Sequence, residues 1–123
     1  MASIPIASIA FWVLTLAAAA GVVLALWHLR AADGPPPPPL AAGIAHGFVG
    51  AAGIVALFLA LQGPARGVST GVGSFGVDSA ALFAAALLTG MVLLFRRKGS
   101  LMAIHAGIAI TGYTLLLAWH ALG

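Results

Sequence analysis

The chain has 123 residues, of which 63% are hydrophobic and 6% are charged, and its mean hydropathy is +1.17. About a quarter of the residues of a soluble domain are charged, so this composition excludes an ordinary soluble fold and predicts an integral membrane protein. The net charge of +3 comes mainly from basic residues at the ends of apolar segments, which argues against a nucleic-acid-binding surface. Because there is no cysteine, imidazole is the expected ligand of any transition metal.

The first apolar segment predicts a transmembrane helix. Residues 4–29 contain no charged side chain, and this run exceeds the ~20 residues that cross a bilayer. Trp27 and Arg30 are typical of an interfacial anchor and a cytoplasmic stop. A cleaved signal peptide is the alternative, because the alanines at 17–20 resemble a cleavage region, although no basic residue precedes the apolar run.

A proline-rich segment separates this helix from the next one. Asp33 and Gly34 are followed by five prolines at 35–39. Proline lacks an amide donor and fixes φ, so the segment predicts a short, stiff polyproline linker. We interpret it as a spacer on the cytoplasmic side, and a docking site for a proline-binding module is the alternative.

Three further apolar segments predict three more transmembrane helices. Residues 40–61 form the second, and the segment 65–77, rich in Gly and Ser, predicts an exposed loop over the outer mouth of the bundle. The third is expected to start from an N-cap at Asp78 or Ser79 and to run to 95. A turn at Gly99 and Ser100 then leads to a fourth helix from 101 to about 120.

The basic residues predict how these helices cross the membrane. Cations near helix ends favour the cytoplasmic side, which places both termini outside, and the basic residues concerned are Arg30, Arg96, Arg97 and Lys98. The predicted fold is therefore all-α, with residues 1–123 forming one integral-membrane domain in the bacterial inner membrane. Within it, four transmembrane helices form an up-down-up-down bundle.

The two predicted hairpins resemble each other. The first spans about 4–62 and the second about 78–122, and each has a glycine in its first helix, Gly21 or Gly90, and a histidine in its second. This pattern predicts two parallel hairpin repeats related by an axis along the membrane normal. A parallel repeat would place His46 and His105 at equal depth in the membrane. Chance recurrence of Gly and Ala is the alternative.

Each of these histidines precedes a small residue four positions on and a glycine seven positions on. On a helix, steps of four and seven residues return to within roughly 40° of the starting direction, so each histidine lies beside a trough. The trough residues are Gly50 and Gly53 for His46, and Ala109 and Gly112 for His105.

Two imidazoles on facing helices are typical axial ligands of haem iron. We therefore expect His46 and His105 to bind one haem b, with the trough residues accommodating the porphyrin. The propionates would pair with Arg30, Arg96 and Arg97. The alternatives are histidines that hydrogen-bond between cofactor-free helices, a bacteriochlorophyll on a single histidine, and a quinone pocket.

With histidines on its second and fourth helices, the chain resembles the small membrane b-type cytochromes, loosely those of the cytochrome b561 type. The resemblance covers the helical core and depends on the spacing of His46, His105 and the glycines. It implies electron transfer to or from a quinone or a partner redox protein, next to other membrane subunits or in a homo-oligomer, rather than a stand-alone enzyme. That family carries two haems on four histidines, whereas this chain has one depth-matched pair. A structural subunit of a respiratory or photosynthetic complex, without cofactor or with bacteriochlorophyll, is the alternative function.

Overall fold

Four long α-helices make up most of the protein. The computed structural model describes residues 3–123, so Met1 and Ala2 of the expected domain lie outside the described residues. The helices are α1 (Ile6–Ala31), α2 (Leu40–Leu61), α3 (Phe75–Phe95) and α4 (Gly99–Leu122), and no strand occurs among the described residues. All four are long and apolar enough to cross a membrane. The prediction of an all-helical fold is confirmed, and the four helices of spanning length are consistent with an integral membrane protein.

The helices pack in a closed ring. α1 contacts α2 and α4, and α3 contacts the same two helices, whereas the diagonal pairs α1–α3 and α2–α4 make no close backbone contact. The core inside the ring consists of alanines and larger apolar side chains: Ala7, Ala10, Phe11, Leu14, Ile54, Ala56, Leu57, Ala60, Ala80, Phe83, Leu116 and Trp119.

The outer surface of the bundle is also apolar. Trp12 is 65% exposed, Phe48 75%, Leu88 64% and Ile110 65%. Contiguous apolar surface of this kind is unfavourable in water and marks contact with lipid or with another protein. With four helices of spanning length, it supports direct contact with a lipid bilayer.

The α1–α2 linker and the α3–α4 turn meet at one end of the bundle, which we name the linker end. Arg97 donates from Nη1 to the carbonyl oxygen of Pro38 at 3.0 Å. The indole Nε1 of Trp27 donates to the carbonyl oxygen of Pro36 at 2.9 Å. The proline-rich linker is thus tied to α1 of its own hairpin and to the α3–α4 turn of the other hairpin.

The α2–α3 loop packs on the opposite end, which we name the loop end. Arg66 donates from Nη2 to the carbonyl oxygen of His120 at 3.3 Å, and Thr70 donates from Oγ1 to that of Leu122 at 2.9 Å. Val72 is buried at 5% exposure. The loop therefore covers the last turn of α4. Its side chains donate hydrogen bonds to backbone carbonyls that have no partner within α4.

The start of α3 differs from the prediction. The helix begins at Phe75, not after an N-cap at Asp78 or Ser79, and its N-cap Ser74 forms no side-chain capping bond. A Cβ built on Gly76 would lie 2.7 Å from the Trp119 ring and 2.8 Å from the Leu61 side chain. This additional turn is packed tightly between α2 and α4. Its contacts with these helices therefore stabilise a helical turn that the local sequence does not predict.

The turn before α4 is also displaced from its predicted position. Gly99 and Ser100 are the first residues of α4, and the connection consists of residues 96–98. Lys98 is extended, with φ −96° and ψ 137°, as is usual for an N-cap. The α2 bounds agree with the prediction, and α1 and the end of α4 differ by two residues, within the usual uncertainty of helix ends.

The buried residues of the helices fall into two matching sets. Those of α1 have the same spacing as those of α3: Ala7, Ala10, Phe11, Leu14 and Ala17, against Gly76, Ser79, Ala80, Phe83 and Ala86. Three buried residues of α2 have the spacing of those of α4: Gly53, Leu57 and Ala60, against Gly112, Leu116 and Trp119. Corresponding positions are therefore buried in the two hairpins.

Gly53 gives a test of this packing. A Cβ there would lie 2.7 Å from the Leu14 side chain and 3.3 Å from its backbone nitrogen. Gly53→Ala should lower the free energy of unfolding by about 1–3 kcal/mol, measured by reversible denaturation in micelles. Gly47→Ala is the control, because a Cβ there meets nothing within 4 Å. It should raise stability by up to ~1 kcal/mol through helix propensity. Equal effects of the two substitutions would contradict the packing described.

Candidate cofactor site

The structure brings His46 and His105 together inside the bundle. Their ring centroids lie 6.2 Å apart and their ring planes are 84° apart. His46 belongs to α2 and His105 to α4. These two helices lie diagonally opposite each other and make no close backbone contact, so the two side chains meet across the interior of the bundle. Each is the seventh residue of its helix, which places both near the linker end.

The separation of the rings fits two kinds of interaction. A metal–imidazole bond is about 2.0–2.1 Å long, so two imidazoles on opposite sides of one metal have centroids on the order of 6 Å apart. Edge-to-face aromatic pairs also occur at about 4.5–7 Å. The 6.2 Å separation alone therefore suits both a shared metal and direct ring packing.

Each imidazole lies on a glycine of the preceding helix. A Cβ built on Gly21 of α1 would be 3.1 Å from Cε1 of His46, and one on Gly90 of α3 would be 3.0 Å from Cε1 of His105. Any larger residue would displace the ring. Sequence reasoning used these glycines only as markers of the repeat and missed their role as seats for the histidines, although their recurrence ahead of each histidine helix was the available signal.

Polar groups of α3 orient His105. Its Nδ1 lies 2.8 Å from the carbonyl oxygen of Ala86 and 3.2 Å from Oγ1 of Thr89. Since a carbonyl oxygen only accepts, Nδ1 carries the proton and donates it, and Nε2 keeps its lone pair. This is the tautomer that a metal ligand requires, with its outer nitrogen bound to a backbone carbonyl.

His46 is held less firmly. The corresponding carbonyl is that of Ala17, which lies near the ring. This carbonyl is a weak hydrogen-bond partner of His46, with poorer geometry than the bond between Ala86 and His105, and Nδ1 of His46 has no other polar partner. The α1 residue that corresponds to Thr89 is Ala20, which has no hydroxyl group. The two hairpins therefore supply similar seats but different hydrogen bonds.

The four small residues expected beside the histidines have different surroundings. A Cβ on Gly50 would meet nothing within 4 Å, and Ala109 is half-buried. The space beside Gly53 is filled by Leu14, and a Cβ on Gly112 would lie 3.2 Å from Leu82. Gly50 therefore adjoins open space, whereas Gly53 and Gly112 are helix-packing positions in this structure.

The basic residues expected at the site lie at the linker end. Arg30 is near the end of α1, Arg96 is the C-cap of α3 and Arg97 follows it, and all three are exposed. The linker-end bond of Arg97 to Pro38 uses only one of its guanidinium donors. These side chains are therefore on the side of the bundle nearest to the two histidines.

The other two histidines do not join the pair. His28 is half-buried near the end of α1. His120 is at the loop end, where its ring is parallel to that of Phe11 at 4.2 Å between centroids. Among residues 3–123, no group of three or more His, Cys, Asp or Glu side chains is placed to hold a metal ion. The site thus offers two protein ligands, and further ligands would have to come from a cofactor.

Comparison of the chain with protein families, with curated proteins and with solved structures finds no match. The resemblance to the cytochrome b561 type therefore stays a prediction.

The seat of His105 can be tested without a cofactor. Gly90→Val should displace the imidazole, because even the Cβ would lie 3.0 Å from Cε1. The hydrogen bond from Nδ1 to Ala86 should then break, and the downfield Nδ1–H resonance should disappear from the NMR spectrum of histidine-labelled protein in micelles. Gly107→Val, also in a helix but with nothing within 4 Å, should retain the resonance. An intact resonance in Gly90→Val would show that the seat is not needed.

Proposed function

We propose that this protein is a membrane b-type cytochrome, in which one haem b between His46 and His105 carries electrons to or from a quinone or a partner redox protein. The observation that carries the proposal is the imidazole pair, 6.2 Å apart and nearly perpendicular inside a helical bundle. Two ligands are too few for a metal ion on its own. A haem would supply the remaining iron ligands itself, so that two imidazoles would be enough to hold it.

The residues of the chain have separable tasks in this proposal. His46 and His105 would hold the haem, and the bond from Nδ1 of His105 to the Ala86 carbonyl leaves Nε2 available as a ligand. When bound, haem supplies one-electron chemistry between ferric and ferrous iron. Because two protein side chains would hold the haem, electron transfer would be favoured over catalysis on a bound substrate.

The helix faces that surround the two histidines carry small side chains. The neighbouring residues of α1 and α3 are small: Ala17, Gly21, Ala86 and Gly90. The imidazoles themselves fill the space over Gly21 and Gly90. Gly50 and Ala109 lie one turn further along α2 and α4. We assign Gly50 and Ala109 to the macrocycle, and Gly53 and Gly112 to the helix packing beyond it.

The linker end supplies the charges that haem propionates require. Arg30, Arg96 and Arg97 are exposed there, on the same side as the histidines. Guanidinium groups bind carboxylates through paired hydrogen bonds. We assign this end to the cytoplasmic side of the bacterial inner membrane, which places both termini outside.

We further propose that the helices run up-down-up-down and that the two hairpins are parallel repeats. The contacts of the α1–α2 linker with the α3–α4 turn, and of the α2–α3 loop with the end of α4, support the topology. The matching buried sets, and the seating of each histidine on a glycine of the preceding helix, support the repeat.

A structural subunit of a respiratory or photosynthetic complex, without cofactor or with bacteriochlorophyll, is the second candidate. Edge-to-face packing of the two rings accounts for a 6.2 Å separation without any metal. The bonds of His105 to Ala86 and Thr89 also satisfy a histidine that serves only to join helices.

Absorption spectra of the purified protein distinguish these functions. We expect a Soret band with sharp reduced α and β bands, as for low-spin bis-histidine haem. His46→Ala and His105→Ala should each lose the low-spin spectrum, because one iron–imidazole bond is removed. His28→Ala and His120→Ala are matched controls and should retain it. A colourless preparation, or an unchanged spectrum in the double variant of His46 and His105, would refute the proposal, and a near-infrared band would indicate bacteriochlorophyll.

Cysteine labelling tests the topology, because the chain has no cysteine of its own. Ser3→Cys and Gly123→Cys should both react with a membrane-impermeant maleimide added to the outside of spheroplasts. Ser100→Cys, at the linker end, is the control and should react only after the membrane is opened. Labelling of either terminus from the cytoplasmic side alone would contradict the up-down-up-down arrangement.

A further inference from the structure

We propose that the loop end of the bundle carries a binding site for the headgroup of an anionic phospholipid, with Arg66 as the cation that binds its phosphate. The site lies at the opposite end of the bundle from His46 and His105, so it is independent of the haem proposal and concerns a second ligand. It assigns one class of lipid to one place on a surface that is otherwise in general contact with the bilayer.

A cavity of about 270 Å³ lies between the α2–α3 loop and the neighbouring ends of α2, α3 and α4. Among the described residues that line it, Arg66 alone is charged, and the main side chains of its wall are those of Leu61, Pro64, Arg66, Val68, Val77 and Trp119. This volume is just below the ~300–1,000 Å³ of typical small-molecule sites, so it suits a lipid headgroup but not a whole lipid. Val68 and Val77 are largely exposed and continue the apolar wall onto the outer surface, where acyl chains would lie.

Two contacts hold the guanidinium of Arg66 at this cavity. Its Cζ lies 5.1 Å from the ring centroid of Trp119, and its Nη2 donates to the carbonyl oxygen of His120 at 3.3 Å. Because the Trp119 side chain is buried, it gives the cation a fixed surface on which to stack. A planar guanidinium that is already oriented loses little conformational entropy when it binds an anion.

The charge of Arg66 has no acidic partner in the cavity wall. Among residues 3–123, one of its N–H donors is used by His120, and its Nε is buried without any partner. The chain has two acidic residues: Asp33 lies in the linker at the other end, and Asp78 is exposed and does not line the cavity. A cation in apolar surroundings is unfavourable without a counter-charge, so an anion bound here would be stabilised.

The position of the cavity favours a lipid headgroup as this anion. Leu61 ends α2 and Val77 lies in the first turn of α3, so the cavity is at the level where these apolar helices leave the hydrocarbon region. The phosphates of a bilayer lie at the same level. No carboxylate of the described residues lines the cavity, so the ammonium group of a zwitterionic lipid would find no partner beside Arg66. We therefore expect phosphatidylglycerol to bind more tightly than phosphatidylethanolamine.

A role at the end of α4 is the competing explanation for Arg66. A Cβ on Gly123 would lie 3.4 Å from Nε of Arg66, and the bond to His120 also joins Arg66 to the last turn of α4. Such a role stabilises the fold but requires no lipid. Lipid preference separates the two roles, because only a headgroup site distinguishes phosphatidylglycerol from phosphatidylethanolamine.

Native mass spectrometry of the wild-type protein in a mild detergent tests the ligand. Dioleoyl phosphatidylglycerol and dioleoyl phosphatidylethanolamine have the same acyl chains, so a difference between their dissociation constants is due to the headgroup. We expect phosphatidylglycerol to bind about tenfold more tightly, a factor typical of one hydrogen bond to a charged group. Equal dissociation constants would overturn the inference. Displacement of the lipid by inorganic phosphate would overturn the assignment to lipid, because the ligand would then be soluble phosphate.

Two substitutions at the cavity, each with a matched control, locate the site. Arg66→Gln should abolish the preference for phosphatidylglycerol, whereas Lys98→Gln removes the same charge from the linker end and should keep it. Val77→Trp fills the cavity, leaves Arg66 in place and should weaken phosphatidylglycerol binding by about tenfold. Leu88→Trp, at another exposed position of α3, should not. Val77→Trp serves as the test if Arg66→Gln does not fold. A preference that persists in the cavity variants would overturn the inference and leave Arg66 with its role at the end of α4.

Discussion

The seating of each imidazole on a glycine of the preceding helix is the constraint on which the interior of this bundle depends. A histidine in an apolar bundle needs space for its ring and a polar partner for its nitrogens. Gly21 and Gly90 provide the space, because a Cβ at either would lie 3.0–3.1 Å from a ring atom. The two rings then reach across the diagonal of the helix ring and meet at 6.2 Å. Any function assigned to the pair presupposes these two contacts.

The number of helices and the identity of the paired histidines could be predicted from sequence because both follow from short-range patterns. An uncharged run of sufficient length specifies a spanning helix whatever its neighbours are. The position of a histidine within its helix specifies its depth, so His46 and His105, each seventh in its helix, were the only two expected at one level. His28 and His120 lie near opposite ends, as their positions in the sequence indicate.

The remaining features depend on which helices are neighbours, which local patterns do not encode. Gly53 lies beside His46 on the α2 surface, but it packs on Leu14 of α1. The first turn of α3 is helical because Gly76 fits under Trp119, a residue of α4. The partners of His105 come from α3 and could be identified only once the packing of α3 on α4 was known. The haem, the quinone and the resemblance to cytochrome b561 concern molecules outside the chain and stay predictions.

The differences between the two hairpins bear more on function than their likeness does. Two equivalent hairpins would hold a cofactor symmetrically, with equal ligands on both faces. Here the backbone seats agree, yet Thr89 corresponds to Ala20, so His105 has a hydroxyl partner that His46 lacks. The hydrogen bonds from α3 restrain the ring of His105, so the second hairpin fixes its histidine more firmly than the first hairpin does.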